Sequence, residues 1–578
     1  MNQPFRLFLN YFGRIQRATF AWGLLIASCA YISVGSLLSF ISGDVALLVV
    51  CPVFIWVLWS LSAKRYHDLD KPAWRLLLVA IPIAGPLWVA FELFFRKGEP
   101  GANRFGIALE TEEIDYAKNP NLKATSSKIV NDVTQVNPIE VGRIERPQSE
   151  AELVQLVRDS KEPLSIGGGR FSMGGQTASP GSLHVDMRSL NRVVGFWPEE
   201  KVIRVQAGIR WADIQKFVDP HDLSVSIMQT YANFTVGGSL SVNCHGRYVG
   251  QGPLILSVRA LKVLLADGRL VETSPTREPE LFSGCVGGYG GLGIIVEAEL
   301  KLSDNVRIER TSIKLSTKDY LAYFKENVRN SPDAVFHNAD LYPPHYGKLR
   351  AVTWTKTDRE PTVATRLQPI RMIYPIQRYF FWAFSETPFG KWRREYFVDP
   401  LVMRKKIVHW RNFEAGYDVA ELEPVSRKER TYVLQEYFVP IERMEAFVKD
   451  MGEIFGRHRV NIINVSIRHA HKDSGSILAW AREEMFAFVV YYKQRTRENA
   501  KNRVGVWTRE MVDAVCKHGG TYYLPYQIHP TAEQFHKAYP RASEFFALKR
   551  RYDPDYRLRN ALWDAYYAPT LKGNVKYA

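Results

Sequence analysis

Five of the nine residues from 167 to 175 are glycine, in the run Gly167-Gly168-Gly169-Arg170-Phe171-Ser172-Met173-Gly174-Gly175-Gln176. Such a stretch does not make the interior of a helix or strand, where glycine loses the most backbone entropy. It reads instead as a loop that another group approaches closely, with successive N–H groups converging on an anion. A flexible surface loop has the same composition, so the run alone leaves both readings open. A phosphate loop of the Gly-Lys-Ser/Thr kind is excluded, because no such triplet ends it. The flanking pattern is ordered. An amphipathic helix is expected over Pro147–Asp159, with Ala151, Leu153, Leu156 and Val157 on one side and Ser149 as cap. A short strand over Pro163–Ile166 then leads straight into the loop.

A second glycine element follows after strands expected at Leu183–Asp186 and Val202–Ala207 and a helix at Trp211–Val218. It reads Phe234-Thr235-Val236-Gly237-Gly238-Ser239-Leu240-Ser241-Val242-Asn243-Cys244-His245-Gly246-Arg247. Two separated glycine loops in one αβ domain suit a ligand clamped from both sides. A strand over Val258–Leu265 and an Asp-Gly hairpin turn at Ala266–Arg269 come next. The third cluster, Gly287-Gly288-Tyr289-Gly290-Gly291-Leu292-Gly293, spells GxGxxG. It is not a Rossmann fingerprint, because Ile294–Leu302 alternates like a strand where that motif opens a helix.

In this order the pieces resemble the FAD-binding domain of the vanillyl-alcohol-oxidase and sugar-lactone-oxidase superfamily, over about residues 140–302. The resemblance implies that Gly167, Gly168, Gly169, Arg170, Phe171, Ser172, Met173, Gly174 and Gln176 hold the FAD pyrophosphate. It further implies that Thr235, Val236, Gly237, Gly238, Ser241, Asn243 and Gly246 run along the cofactor, with Gly293, Ile294 and Ile295 also near it. Many members carry a histidine before the serine of the first loop, joined covalently to the flavin. Phe171 stands there in this chain, and Cys244 lies in a different register from the cysteine that some members use, so FAD is expected to be non-covalent.

Residues 303–530 lack glycine loops and alternate strand-like and helical patterns, such as a strand at Thr431–Phe438 and a helix at Pro440–Phe455. Segment 366–411 holds ten Lys or Arg against three acids, with aromatics crowded at Tyr379-Phe380-Phe381-Trp382 and Phe384. It reads as a membrane-facing patch, the mouth of a site for a lipid-linked or anionic substrate, or a solvated basic surface. Resemblance to the cap domain of the same superfamily, and to its decaprenylphosphoryl-ribose oxidase branch, is clearest at Gly519–Tyr526, Ala538–Pro540 and Lys549–Pro554. That branch places a tyrosine and a lysine at the flavin. The tyrosine matches Tyr523, whereas Tyr526 occupies the lysine position. The His-x-x-Trp-Gly-Lys stretch of the lactone and alditol oxidases is absent. Tyr523, Tyr526 and His245 are the expected catalytic residues, with tyrosine acting as base at a depressed pKa.

The first hundred residues have a different character. Apolar runs at Phe20–Ser42, Val45–Leu61 and Leu76–Phe95 each approach the roughly 20 residues a membrane-crossing helix needs. Pro82, Gly85 and Pro86 kink the third or make it re-entrant. Trp22, Trp59, Trp74 and Trp88 suit interfacial anchors. The distribution of Lys and Arg puts the N-terminus and the loop with Lys64, Arg65, Lys71 and Arg75 in the cytoplasm. Gly13-Arg14-Ile15-x-Arg17, Lys64-Arg65-Tyr66-His67-Asp68 and Pro100–Gly106 resemble a family of bacterial inner-membrane proteins of unknown function. That implies a multi-pass inner-membrane location. Three full spans would leave the catalytic domain outside, whereas a re-entrant third run, with flavin loaded in the cytoplasm, places it on the cytoplasmic side. His67 and Asp68 are expected to cap or bridge a turn.

The expected fold class is thus α+β: an N-terminal helical membrane domain (1–110), a linker (111–136), a vanillyl-alcohol-oxidase-type FAD-binding domain (137–302), an α+β substrate or cap domain (303–530) and a helical segment closing on the FAD domain (531–578). A net charge of +16 accords with lipid or an acidic substrate. No basic helix or aromatic platform points to nucleic acid, and the five cysteines form neither a CxxC pair nor a zinc spacing, so no metal is expected. The expected activity is oxidation of an alcohol group of a sugar, polyol, lactone or lipid-linked sugar, with oxygen or a quinone as electron acceptor. A flavin-dependent reductase of a carbon–carbon double bond and a flavin-binding membrane sensor are the alternatives.

Overall fold

The computed structural model describes residues 15, 17–42, 45–82, 84–98, 128–369, 387–418 and 427–571, without the side chains of 34–50. The chain divides into two compact units, Met1–Asp115 and Tyr116–Ala578. Most of the expected linker and the aromatic cluster at 379–384 lie outside the described residues.

In the first unit, helices run over Arg17–Ser42 and Val45–Asp68. The third apolar run is broken into a 3₁₀ stretch at Ala73–Ala80 and a helix at Ala84–Phe95. At 12 residues that helix is about 18 Å long, short of the hydrocarbon core, so the third run is not a single span. The break falls where the prolines are. Among the described residues no helix is long and apolar enough to cross a membrane, and three spans are therefore not what the structure displays. Polar groups tie the unit together. Arg65 is buried and bonds Asp68 and the Leu93 carbonyl (3.0 Å), while Lys71 and Arg96 converge on the buried Glu92. His67 and Asp68 are both buried at this turn.

The second unit is mixed α+β, built on three sheets and a small hairpin, β1 (Ile129–Val130) with β2 (Ile139–Glu140). A parallel sheet has β5 (Leu183–Asp186) between β3 (Arg143–Glu145) and β4 (Leu164–Gly167). Its covering helix, Glu150–Asp159, is capped by Ser149, whose hydroxyl accepts from the Glu152 amide at 3.2 Å. An antiparallel sheet orders β10 (Leu270–Thr273), β9 (Val258–Leu264), β11 (Ile294–Asp304), β7 (Val202–Gln206) and β6 (Val193–Trp197), with β8 (Leu223–Val225) on the end of β11. The GxGxxG cluster indeed opens β11 rather than a helix.

The third sheet is antiparallel and eight-stranded: β15 (Val408–Trp410), β12 (Arg307–Ser316), β14 (Lys348–Lys356), β13 (Ala334–Leu341), β17 (Ile462–Ala470), β18 (Met485–Arg495), β16 (Arg430–Pro440) and β19 (Thr521–Tyr522). Helices Met444–Arg457 and Glu498–Lys517 pack their apolar stripes, including Phe447, Met451 and Met511, into the core beside it. The last residues return to the flank of the first two sheets. Leu558 bridges Leu164, Asn560 donates to the Tyr289 carbonyl at 2.8 Å, and the fully buried Lys549 donates to Gly291 (2.8 Å) and to Asp553 (2.9 Å).

Candidate functional site

One cavity in the second unit gathers both glycine loops. It encloses about 1760 Å³ of empty space including its open mouth, room enough for a large cofactor and a substrate together. Its floor starts where β4 ends. Gly167 lies over the His184 ring, with 2.5 Å from that ring to where a side chain would begin. Burial, with Arg170 alongside, holds His184 down at about 3, so the ring is neutral. Its Nε2 then accepts from the Arg170 guanidinium (3.1 Å), and its Nδ1 donates to Ser165 (3.0 Å). Arg170 is left-handed (φ 58°), and its side chain is thus committed beneath the loop. Gly168 has no room for a Cβ because Thr235 Oγ1 of the second loop sits against it, and the two loops interlock there.

Among the described residues the amides of Gly169, Arg170 and Ser172 donate to no protein acceptor. Three neighbouring donors without acceptors on a cavity wall fit an anionic group such as a pyrophosphate. Thr230 Oγ1, also on the wall, is buried without a partner. The residues present therefore fit a dinucleotide cofactor.

The expected cofactor residues divide. Gly168, Gly169, Arg170, Phe171, Ser172, Met173, Gln176, Thr235, Gly237, Gly238, Ser241, Gly293 and Ile295 line the cavity. Gly167, Gly174, Val236, Asn243, Gly246 and Ile294 do not, and each has another task. Gly174 gives way to the Tyr526 carbonyl, and Gly246 to the Met228 carbonyl. Val236 and Ile294 are core residues. Asn243, left-handed at φ 48°, bonds Asp473 (2.8 Å) and accepts from the Ile255 amide (3.0 Å). Gly237 lines the cavity, yet a Cβ there would meet Ala207 at 2.8 Å, so its smallness serves packing of the Val236–Ser241 helix on the end of β7. Sequence reading missed wall residues Gln229, Tyr231, Tyr289 and Asn560.

The roof is the face of the third sheet. Tyr432, Leu434 and Glu436 from β16, Val489 and Tyr491 from β18, and Arg468 from β17 all point into the cavity, at alternate positions as strand geometry requires. Loop 173–176 docks on the segment that follows β19. Met173 donates its amide to the Pro525 carbonyl (2.6 Å), and Gln176 donates to Leu524 and Tyr526 carbonyls (2.7 Å each). The first glycine loop thereby fixes the position of Tyr526 on the opposite wall.

At the junction sits a buried cluster. Glu436 is 3% exposed and accepts from His245 Nε2 at 2.5 Å and from the Tyr526 hydroxyl at 3.0 Å. Burial opposes its charge, but His245, Arg468 and the Tyr526 hydroxyl outweigh that and hold its pKa below the usual carboxylate range. His245 is boxed by Phe438, Trp480 and Tyr523, with ring centroids 5.0–6.1 Å away. Tyr523 donates to the Val242 carbonyl at 2.9 Å. The depressed tyrosine pKa expected from sequence is not found. Burial pushes both Tyr523 and Tyr526 well up, and the nearby Glu436 charge adds to this, so both hydroxyls are neutral donors. Glu436 was legible only as the one acid of its strand. On the cap, His469, His471 and Glu484 also gather with ligand atoms within 4.8 Å, but the Glu484 carboxylate is held by Arg329 at 2.7 Å.

A cavity floored by loop amides without protein acceptors and roofed by a buried acid–imidazole pair fits the site of a cofactor-dependent enzyme. A family model described as an FAD binding domain matches residues 143–274, and one described as a protein of unknown function (DUF805) matches residues 8–107. The chain is similar to L-gulonolactone oxidase of Mus musculus, 21% identical over 416 residues, 70% of this chain and 89% of the relative. It is similar to decaprenylphosphoryl-beta-D-ribose oxidase of Mycolicibacterium smegmatis, 23% identical over 410 residues, 66% of this chain and 85% of the relative. Cytokinin dehydrogenase 2 of Arabidopsis thaliana is 29% identical over 222 residues, 37% of this chain and 43% of the relative. The chain is an FAD-dependent oxidoreductase, and FAD is its cofactor.

Proposed function

We propose that this enzyme belongs to the vanillyl-alcohol-oxidase superfamily and oxidises an alcohol group of a sugar, sugar lactone, polyol or lipid-linked sugar. The observation that carries the reading is the buried Glu436–His245–Tyr526 cluster on the cavity wall. Bound FAD supplies the hydride acceptor. The chain supplies the proton chemistry. The Glu436 carboxylate, kept ionised by its neighbours, takes up the substrate hydroxyl proton through Tyr526, whose oxygen accepts from that hydroxyl while its own proton is held toward Glu436. With Nε2 turned to Glu436, His245 positions the carboxylate. Tyr523 spends its hydroxyl on Val242 and so sets the spacing between cap and FAD domain. The half-buried Arg468 adds positive charge on the same wall, which suits an anionic substrate group.

The site residues expected from sequence enter this reading with His245 and Tyr523 as positioning groups and Tyr526 as a substrate contact. FAD is held without a covalent bond, because the Phe171 ring packs edge-on against Phe234 at 4.4 Å and burial raises the Cys244 thiol pKa. The first unit anchors the enzyme at a bilayer through its apolar helices. Anaerobic mixing with sugar lactones, polyols and lipid-linked sugars tests the activity. Bleaching of the flavin by at least one of them is expected, and no bleaching by any class overturns the reading. Acid precipitation is expected to release all FAD, and alkaline carbonate washing to leave the full chain with membranes.

A further inference from the structure

Residues 388–403 form a continuous helical stretch, Pro388–Arg393, a π turn at Arg394–Val398 and Asp399–Met403. One side is fastened to the third sheet. Lys391 bonds Asn461 (2.9 Å), Arg394 bonds Asn464 (3.1 Å), Glu395 pairs with Lys314 (2.8 Å), and Asp399 accepts from Tyr342 (2.9 Å). The other side faces solvent and is apolar. Phe389 is 64% exposed, Phe397 59% and Leu401 70%, with Trp392 and Val402 about half exposed. Trp392 sits at the centre, its ring 5.8 Å from Phe389 and 5.2 Å from Phe397, so these side chains form one ridge. Among the described residues of this unit, the other exposed large apolar side chains are scattered, with only Val194 and Trp197 close in sequence.

Among the described residues, the free charge beside the ridge in sequence has one sign. Both acids of the stretch, Glu395 and Asp399, are consumed by the inward contacts, whereas Arg404, Lys405 and Lys406 follow the ridge and are exposed. An exposed aromatic ridge followed by three exposed bases is the composition of a helix that lies in the interface of a bilayer and is drawn to anionic headgroups. A protein partner of ordinary surface would leave the three bases unmatched. We propose that residues 388–406 dock on an anionic lipid surface.

The placement gives the contact a purpose. Asn464, which holds Arg394, lies on the same face of β17 as Arg468 of the catalytic cavity, four residues and so about 13 Å along the strand. A membrane surface at the ridge is thus about one strand-length from the reacting groups, within reach of a substrate presented from lipid. This inference is independent of which alcohol is oxidised and of whether the first unit spans a bilayer.

The test is hydrogen–deuterium exchange of the full FAD-loaded chain in nanodiscs of phosphatidylcholine alone or mixed with phosphatidylglycerol. Peptides covering 388–403 are expected to exchange about tenfold more slowly with the anionic lipid, as for a helix whose local opening is suppressed. The variant R404E/K405E/K406E, exposed and outside the cavity, is expected to lose that protection while keeping its FAD and its exchange elsewhere. Equal exchange in both discs, or protection that survives the charge reversal, overturns the proposal. So does protection without lipid that grows with protein concentration, which would assign the ridge to a second copy of the chain.

Discussion

The floor and the roof of the cavity are built on opposite principles. The floor is backbone: the amides of Gly169, Arg170 and Ser172 are the working groups, and Gly168 interlocks their loop with Thr235 of the second. The roof is side chains: Glu436, Tyr491 and Arg468 stand on three neighbouring strands whose residues are tens of positions apart in sequence. Backbone recognition is local, so a run of glycines suffices to write it. Side-chain chemistry on a sheet face exists only once register sets which alternate residues share a side. The contrast predicts that floor substitutions change cofactor content, and roof substitutions change rate with the cofactor in place.

The sharpest break of that contrast is Glu436→Gln. Rapid-reaction kinetics are expected to show flavin reduction slowed about 10³-fold, within the range for losing a positioned proton acceptor, with FAD content unchanged. Normal reduction would remove Glu436 from the proton chemistry. Next comes Gly168→Val on the floor, which pushes into Thr235 and is expected to weaken FAD retention by about 10- to 100-fold, the scale of 1–3 kcal/mol of overpacking. The ratio of flavin to protein absorbance reads this directly, and full FAD content with a slowed rate would erase the distinction between floor and roof.

His245→Gln sharpens the roof. Glu436 carries a depressed pKa, so its ionised form persists as pH falls until that low value is passed, and stability gained above the unfolded pKa is lost there too. His245 is the strongest of the groups lowering it, so its removal is expected to move the acid limb of flavin reduction to higher pH. An unmoved limb would show that His245 does not act through Glu436. The smallest effect belongs to Tyr523→Phe. Loss of its bond to Val242 is expected to cost about 1 kcal/mol of stability, seen as a lower Tm, and less than tenfold in rate. A hundredfold loss of rate would return Tyr523 to the proton chemistry.

Sequence alone carried the local features. Helix Trp211–Val218, strand Leu183–Asp186, the Ser149 cap and the strand after GxGxxG all follow from periodicity and turn chemistry, which act within a few residues. The two glycine loops were equally visible, because close backbone approach demands glycine wherever it occurs. What that signal cannot specify is the neighbour being approached. Gly174 makes way for the Tyr526 carbonyl and Gly246 for Met228, while Gly237 makes way for Ala207 although it also lines the cavity, and only tertiary packing assigns these tasks. The protonation state of Tyr526 was likewise decided by the fold, since a pKa depends on burial and on charges brought from elsewhere in the chain. Glu436 meets His245 across 191 positions of sequence. No spacing rule encodes such a pair, because it is created by antiparallel register in one sheet and by the docking of a glycine loop from another domain.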